Sequence, residues 1–420
     1  MKTHKLIFAA ILAALGFAHI ASAQTEIYLS GAPATRAIWN QAIYNTLVAK
    51  STGSPTITKY WSGSSYNSAN QIILTGGNIN GSPVTIYGSW TGSTGGNQSV
   101  AINPPASNTT LEVGFLLLSA ANPGGSNTNL TNVKYPQVNL SDTLQSTLPF
   151  NGTTSTTTPT TSYVALTEAT TASPAITGFE FVANKGAPAS LSNLTTNLAQ
   201  QLFTSPGIPL ALFSGNSADH GTKVYPVGRD IASGARYILL AETGIGTANS
   251  STLIQYEPAV TTGTITDIVD NPAPGGTINL ISFDVGNGGY PSFSAVETVL
   301  AASSSNASVG YAVSYVTDSD AVTAVNTGGA KALSWNGVPY SVAAIQEGQY
   351  TYWSFLHVYY NNVAPGHYIA TNFPLSKTFA DYLSTDLSTD TNYTVGTAAI
   401  LSSSLHVSRP LDGGAVTPNY

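Results

Sequence analysis

Three times along this chain a short apolar strand runs into a loop of Gly, Ser and Thr that opens into helical spacing. Glu26–Leu29 leads through Ser30-Gly31-Ala32-Pro33-Ala34-Thr35-Arg36 into apolar positions 37, 38, 42, 43, 47 and 48. Val84–Tyr87 leads to Gly92-Ser93-Thr94-Gly95-Gly96-Asn97-Gln98 with a helix through Val100, and Val224–Val227 leads to Gly228-Arg229-Asp230-Ile231-Ala232-Ser233-Gly234-Ala235-Arg236 with a helix ended by Gly244. Strand, tight loop and helix in succession specify an α/β chain whose loops gather at the carboxyl ends of its strands. Leu111–Ser119, a continuous apolar run, is expected as a strand buried on both faces of a parallel sheet.

Charge sharpens what those loops are for. Only 8% of the residues are charged, yet three of the four arginines lie in the first and third loops. Arginine presents a planar fork that pairs bidentately with phosphate or carboxylate oxygens. The first N–H groups of a helix lack intrahelical partners and carry the positive end of its dipole, so a Gly/Ser/Thr loop at a helix start holds anions. The competing reading is an ordinary capped helix start, where Ser, Thr and Gly are favoured without a ligand. Arg236, two helical turns on, has Asp230 or Glu242 as alternative partners.

Lys2 and Lys5, the apolar stretch Leu6 to Ile20 and Ala21-Ser22-Ala23 have the layout of a secretory signal over residues 1–23, so the mature chain is expected to begin at Gln24 and to be exported, periplasmic or extracellular. No later run approaches the roughly 18 apolar residues of a membrane helix. Thirteen basic side chains, less Lys2 and Lys5, stand against twenty acidic ones, which argues against nucleic acid or anionic lipid as a partner. There is no cysteine, so disulfides, thiolate metal sites and a lipid-anchored cysteine are excluded. About 400 mature residues exceed one ordinary core, and two lobes of ~150–200 residues are expected. Residues 126 to about 172, with Thr153–Ser162 made only of Ser, Thr and Pro, read as an exposed excursion. Strands are expected over Ile278–Val285, Val309–Val316, Ala332–Asn336 and Trp353–Tyr360, and helices over Leu191–Phe203, Phe293–Ala302 and Phe379–Leu387.

Other chemistries find little support. His220, His357, His367 and His406 are scattered without an H-E-x-x-H motif. Asp219, His220 and Ser233 lack the Gly-x-Ser-x-Gly elbow of a hydrolase. Gly244-Ile245-Gly246 lacks the third glycine of a dinucleotide fingerprint, and no lysine follows a Gly-rich loop as in a phosphate-binding loop. The aromatics Tyr350, Tyr352, Trp353, Phe355, Tyr359 and Tyr360 read as a core strand before a carbohydrate-stacking surface.

In this order the motifs resemble those of the solute-binding proteins of bacterial phosphate ABC importers. Gly31-Ala32-Pro33-Ala34-Thr35 is similar to that family's Gly-Ala-x-Ala-Thr, Gly92-Ser93-Thr94-Gly95-Gly96 to its Gly-Ser-x-Gly-Gly, and Arg229 through Ser233-Gly234 to its Arg-x-Asp-x-Ser-Gly-Thr. Val309-Gly310-Tyr311, and Lys331 through Asn336-Gly337-Val338-Pro339 with Ile345, Gly348 and Tyr350, keep the family's order. The resemblance implies an α/β, two-lobe type II periplasmic binding protein-like fold with a hinge and an interlobe cleft. Lobe 1 would comprise 24–120 plus 317–420, and lobe 2 would comprise 121–316 with the excursion.

It further implies a ligand site of Ala34, Thr35, Arg36, Ser93, Thr94, Ser119, Arg229, Ser233, Gly234 and Ala235, with no catalytic residue, metal or cofactor. Its partners would be a small oxyanion, phosphate foremost, and an ABC permease. Where the family's strand ends in Ser-Asp, whose carboxylate accepts the proton of hydrogen phosphate, the matching stretch is expected at Leu118-Ser119-Ala120-Ala121-Asn122. No acid follows Ser119 there, so the repulsion that rejects sulfate would be missing. Ala235 lacks a hydroxyl that the family has, Asp230 stands one position early, and Arg36 replaces an aromatic. These departures keep two other readings open: a surface or matrix protein that retains the fold without transport, and a phosphatase on the same fold, for which no activated nucleophile is found.

Overall fold

The computed structural model describes residues 24–103, 111–127, 130–152, 154–155, 161–170, 173–247, 253–268, 289–363, 369–389 and 399–419. The expected signal at 1–23, the strand at Ile278–Val285 and most of the Thr153–Ser162 run lie outside them. In chain order, the elements that place the site are strands β1 (Thr25–Gly31), β2 (Thr58–Ser62), β3 (Gln71–Ile79), β4 (Ser82–Ser89), β5 (Val138–Ser141), β6 (Ala175–Ala183), β7 (Lys223–Val227), β8 (Tyr311–Thr317) and β9 (Trp353–Tyr360). The helices are α1 (Arg36–Lys50), α2 (Ser93–Ala101), α3 (Gly234–Glu242), α4 (Phe293–Leu300) and α5 (Pro374–Thr389). Among the described residues no helix is long and apolar enough to cross a membrane.

One large mixed sheet carries the molecule. At its centre β5, β1 and β4 run parallel, with Leu29 opposite Val138 on one side and Gly88 on the other. Their carboxyl ends therefore emerge at the same edge. Beyond β4 the sheet continues antiparallel through β3 and β2. On the other side β9 pairs antiparallel with β5 and with β6, β8 is antiparallel to β6, and β7 is parallel to β8.

Buried side chains form two large clusters on this frame. The first gathers Ile27, Trp39, Ile72, Ile86 and Leu140 under α1 and α5. The second gathers Phe181, Val227, Tyr237, Tyr315, Trp335 and Trp353. Two strands pass between them: Ala175 packs in the first cluster and Ile176 in the second, while Trp353 packs in the second and Leu356 in the first. The chain beyond 317 contributes to both clusters. Leu333, Ile345, Tyr350 and Tyr352 join the second cluster, Leu356 to Leu387 the first, and Ile400, Leu405 and Val407 the second again.

Two segments exchange their expected roles. The run around Leu111–Ser119 forms only a four-residue strand, Val113–Leu116, paired antiparallel with Leu130–Lys134 outside the main sheet. Its buried face covers the aromatic pair Tyr28 and Tyr87. The place beside β1 belongs instead to β5, inside the stretch expected as an exposed excursion, and all four β5 residues are buried. Polar Asn139 and Ser141 interrupt its apolar pattern, which hides it from a hydropathy reading. The aromatic segment that leads into β9 is core as expected, with Tyr350, Tyr352 and Trp353 fully buried.

The fourth arginine is structural. Arg409 Nη2 lies 2.7 Å from Glu242 Oε2, with side chains 1% and 5% exposed. Its Nη1 donates to the carbonyls of Thr351 and Trp353, and the guanidinium sits 4.6 Å from the Trp353 ring centre. It ties the C-terminal segment to α3. Removing one partner leaves the other charge buried and alone, so Arg409→Ala is expected to cost about 3–5 kcal/mol of unfolding free energy. The denaturant midpoint reads this; a midpoint equal to that of the unmutated chain would contradict it.

Candidate anion-binding site

The three loops singled out in the sequence meet. Gly92 N–H donates to the Gly31 carbonyl at 2.9 Å and Ala32 N–H to the Leu140 carbonyl at 2.9 Å, so the first two loops and the end of β5 form one floor. The third loop lies on it, with Thr94 and Gly95 N–H donating to the Ala232 carbonyl at 3.2 and 3.3 Å. Gly92 has φ 113°, and a Cβ there would strike the Ala232 carbonyl. A Cβ on Gly234 would strike Asp142 and Thr143.

The helix starts are unusual for this molecule. Thr35, Gly92 and Ser233 precede α1, α2 and α3 without a side-chain capping bond, whereas Thr195, Ser292, Thr317 and Ser341 cap their own helices. Thr35, Ser93, Thr94, Ser233, Gly234 and Ala235 are all buried. Side-chain capping therefore does not account for Thr35 and Ser233, and Gly92 has no side chain with which to cap.

An acid that the sequence reading missed stands at their meeting point. Asp142 follows β5 and is 1% exposed. Its Oδ1 accepts from Ser93 Oγ at 2.5 Å and Thr143 Oγ1 at 3.0 Å, and Ser354 Oγ holds its carbonyl at 2.6 Å. Burial pushes its carboxyl up, opposed by the Ser93 and Thr143 hydroxyls and by the Arg229 charge. A Ser-Asp pair, Ser141-Asp142, thus stands at the end of β5, whereas the acid was expected to be missing after Ser119. Ser119 itself is exposed in a turn, Leu118–Ala120, because the strand before it lies outside the parallel trio. The signal that marks the pair is Ser-Asp-Thr directly after the alternating Val138-Asn139-Leu140, 22 residues beyond Ser119 (141 − 119).

Arg229 is 1% exposed. Nε donates to the Tyr290 carbonyl at 3.0 Å and Nη2 to the Pro291 carbonyl at 2.9 Å, and the guanidinium lies 4.7 Å from the Phe293 ring centre. Its Nη1, with Thr35 Oγ1 and Thr94 Oγ1, is buried and has no hydrogen-bond partner among the described residues. Unpaired buried donors of this kind are costly unless something occupies them. Arg236, fully buried, supports the loop by donating to the Arg229 carbonyl at 3.2 Å.

The remaining expected residues sit at the margin. Ala34 is half-buried and packs against the second cluster. Arg36 turns aside: Nη1 donates to the Pro33 carbonyl at 2.6 Å and Nε to Ser68 at 3.0 Å. Its charge acts on Glu297 and Asp320, neighbouring acids whose carboxyls burial pushes up, Glu297 further by Asp320 beside it.

No family model matches the chain, and no curated protein matches it by sequence. Solved structures similar to it include an ABC-type phosphate transport receptor from Vibrio cholerae (14% identity, TM-score 0.44, 90% of this chain and all of that one). A substrate-binding protein of a phosphate ABC transporter from Clostridium perfringens, with bound phosphate, is 12% identical (TM-score 0.42, 86% and 93%). PstS from Borrelia burgdorferi is 11% identical (TM-score 0.37, 86% and 92%). At such values the overlap is partial, and the residues of the loops themselves decide what this chain can hold.

Glu297, and Glu180 on β6 beside Asp318, are both pushed up to about 8, by burial first and then by neighbouring acids. Their ordinary value is 4.5. A proton held more tightly by the folded chain stabilises it fully below the unfolded value, and that contribution is lost as pH rises through the folded one. The thermal midpoint is therefore expected to fall between about pH 5 and about pH 8.5, with Glu180→Gln and Glu297→Gln together flattening the slope. Calorimetry across that window checks it; a slope unchanged in the double variant would contradict it.

Proposed function

We propose that this chain is an exported solute-binding protein that captures a small oxyanion, phosphate foremost, and delivers it to an ABC permease. The observation that carries the reading is the meeting of three loops that open buried helix starts, with Asp142 against the second and third and with Thr35 Oγ1, Thr94 Oγ1 and Arg229 Nη1 buried without a hydrogen-bond partner among the described residues. Helix N-termini, hydroxyls and a guanidinium are the donors an oxyanion needs. The two buried clusters act as lobes, and β6 and β9 between them serve as the hinge about which the loops open and close. The signal-like residues 1–23 support export.

In the closed state Thr35, Thr94 and Ser233 donate hydroxyls, while Ser93, whose hydroxyl stays on Asp142, offers its backbone N–H together with Ala34, Gly234 and Ala235. Arg229 supplies the charge, and Arg36 remains at the rim. Asp142 accepts the proton of hydrogen phosphate. A fully deprotonated ion such as sulfate would place an unpaired negative charge against it, so selectivity for phosphate follows from Asp142 without Ser119. Loading requires the Ala232 carbonyl to leave the α2 start, where it takes the donors an anion would use.

That same carbonyl favours a second reading, a surface or matrix protein that keeps the fold with its loops closed on themselves. Isothermal titration of the mature chain, stripped by unfolding and refolding, separates the two. Phosphate is expected to bind well ahead of sulfate. Asp142→Asn is expected to narrow that preference, and Thr35→Val to weaken phosphate, each by roughly tenfold to a hundredfold, as for a hydrogen bond to a charged group. Folded protein that gives no heat with either anion would leave the scaffold reading.

A further inference from the structure

Beside the three loops lies a cavity of about 550 Å3 whose walls include Pro33, Asn70, Gln71, Ser89, Thr91 and Pro291. Its position follows from the loops. Pro33 stands two residues before Thr35 and Thr91 two before Ser93, hence within about 7 Å of them along the chain. Pro291 gives its carbonyl to Arg229 Nη2. The cavity thus abuts the donors assigned to the anion.

Its size and chemistry differ from what a bare ion needs. Ligand pockets of roughly 300–1,000 Å3 hold organic molecules, whereas one phosphorus and four oxygens would leave most of this volume to water. Among the described residues the lining carries no ionisable side chain, so a second charge would lose its hydration there without a partner. Amides and hydroxyls line it beside Trp90 and two prolines. Asn70 is exposed to it with its side-chain amide unpartnered among the described residues. Gln71 uses Nε2 on the Gly114 carbonyl at 2.8 Å and keeps Oε1. Such groups pair with alcohols, which both donate and accept.

We infer that the ligand is an oxyanion carrying a neutral hydroxylated substituent, a phosphate monoester of a polyol or sugar, whose substituent occupies this cavity while the anionic head occupies the loops. This rests on the oxyanion reading of the three loops. A monoester keeps an ionised phosphoryl head for Arg229 and a titratable proton for Asp142, so it satisfies the same donors and adds the contacts of the cavity.

Competition titration on the stripped mature chain tests it with inorganic phosphate, glycerol 3-phosphate, glucose 6-phosphate and glycerol as probes. At least one ester is expected to bind about tenfold or more tightly than phosphate. Asn70→Trp, which fills the cavity from its exposed wall, is expected to remove that advantage while phosphate affinity stays as it was. Phosphate bound as tightly as both esters, or more so, overturns the cavity assignment and leaves the oxyanion site standing. No binding of any of the four by folded protein overturns both, and an ester advantage that persists in a folded Asn70→Trp chain overturns the placement of the substituent.

Discussion

The contact between Ser93 Oγ and the Asp142 carboxylate, 2.5 Å long and sealed from solvent, is the joint on which the site depends. A carboxylate is buried only where donors replace its water, and here those donors are a hydroxyl at the start of α2 and the neighbouring Thr143. The demand propagates outward. β5 must lie beside β1 for Asp142 to reach α2, β9 must hold the Asp142 carbonyl through Ser354, and residue 234 must lack a side chain for the third loop to close over the pair. One buried acid thus explains why three loops distant in sequence share a single surface.

The scarce cations obey the same economy. Arg229, Arg236 and Arg409 are buried, and each is held by backbone carbonyls. In a chain with so few charges an arginine is set in place by dipoles as much as by an opposite charge. Arg409 closes the C-terminal segment onto α3. Arg236 and Gln255 share the Arg229 carbonyl and so fix the backbone of the loop whose guanidinium keeps one donor without a partner among the described residues. The burial that keeps that donor unpaired also depresses the proton affinity of Arg229 and raises that of Asp142. The two opposite charges facing each other across the closed loops partly offset both shifts.

The loops were legible because their chemistry is local. Glycine where the backbone must pass close to another chain segment, serine and threonine at helix starts, and arginine in an otherwise uncharged chain each leave a mark within ten residues. Whether Thr35 and Ser233 cap their helices could be read only in the structure, since capping geometry depends on a rotamer and not on residue type. Periodicity likewise placed α1, α2, α3, β1, β4 and β9, where apolar spacing runs long enough to be read.

What the sequence by itself determined is the alternation of strand, polar loop and helix, the core character of the aromatic β9, and the residue types available to hold an anion. Each of these is set by neighbours a few positions apart. The tertiary structure alone decided which strand lies beside β1, and with it which acid lies against the loops. Four-residue β5, half polar, carries too little hydropathy to compete on paper with the longer apolar run before Ser119. In three dimensions it prevails because its polar side chains find partners inside, Asn139 on the Ser93 carbonyl and Ser141 on Thr143, and pairing across a sheet leaves no local trace.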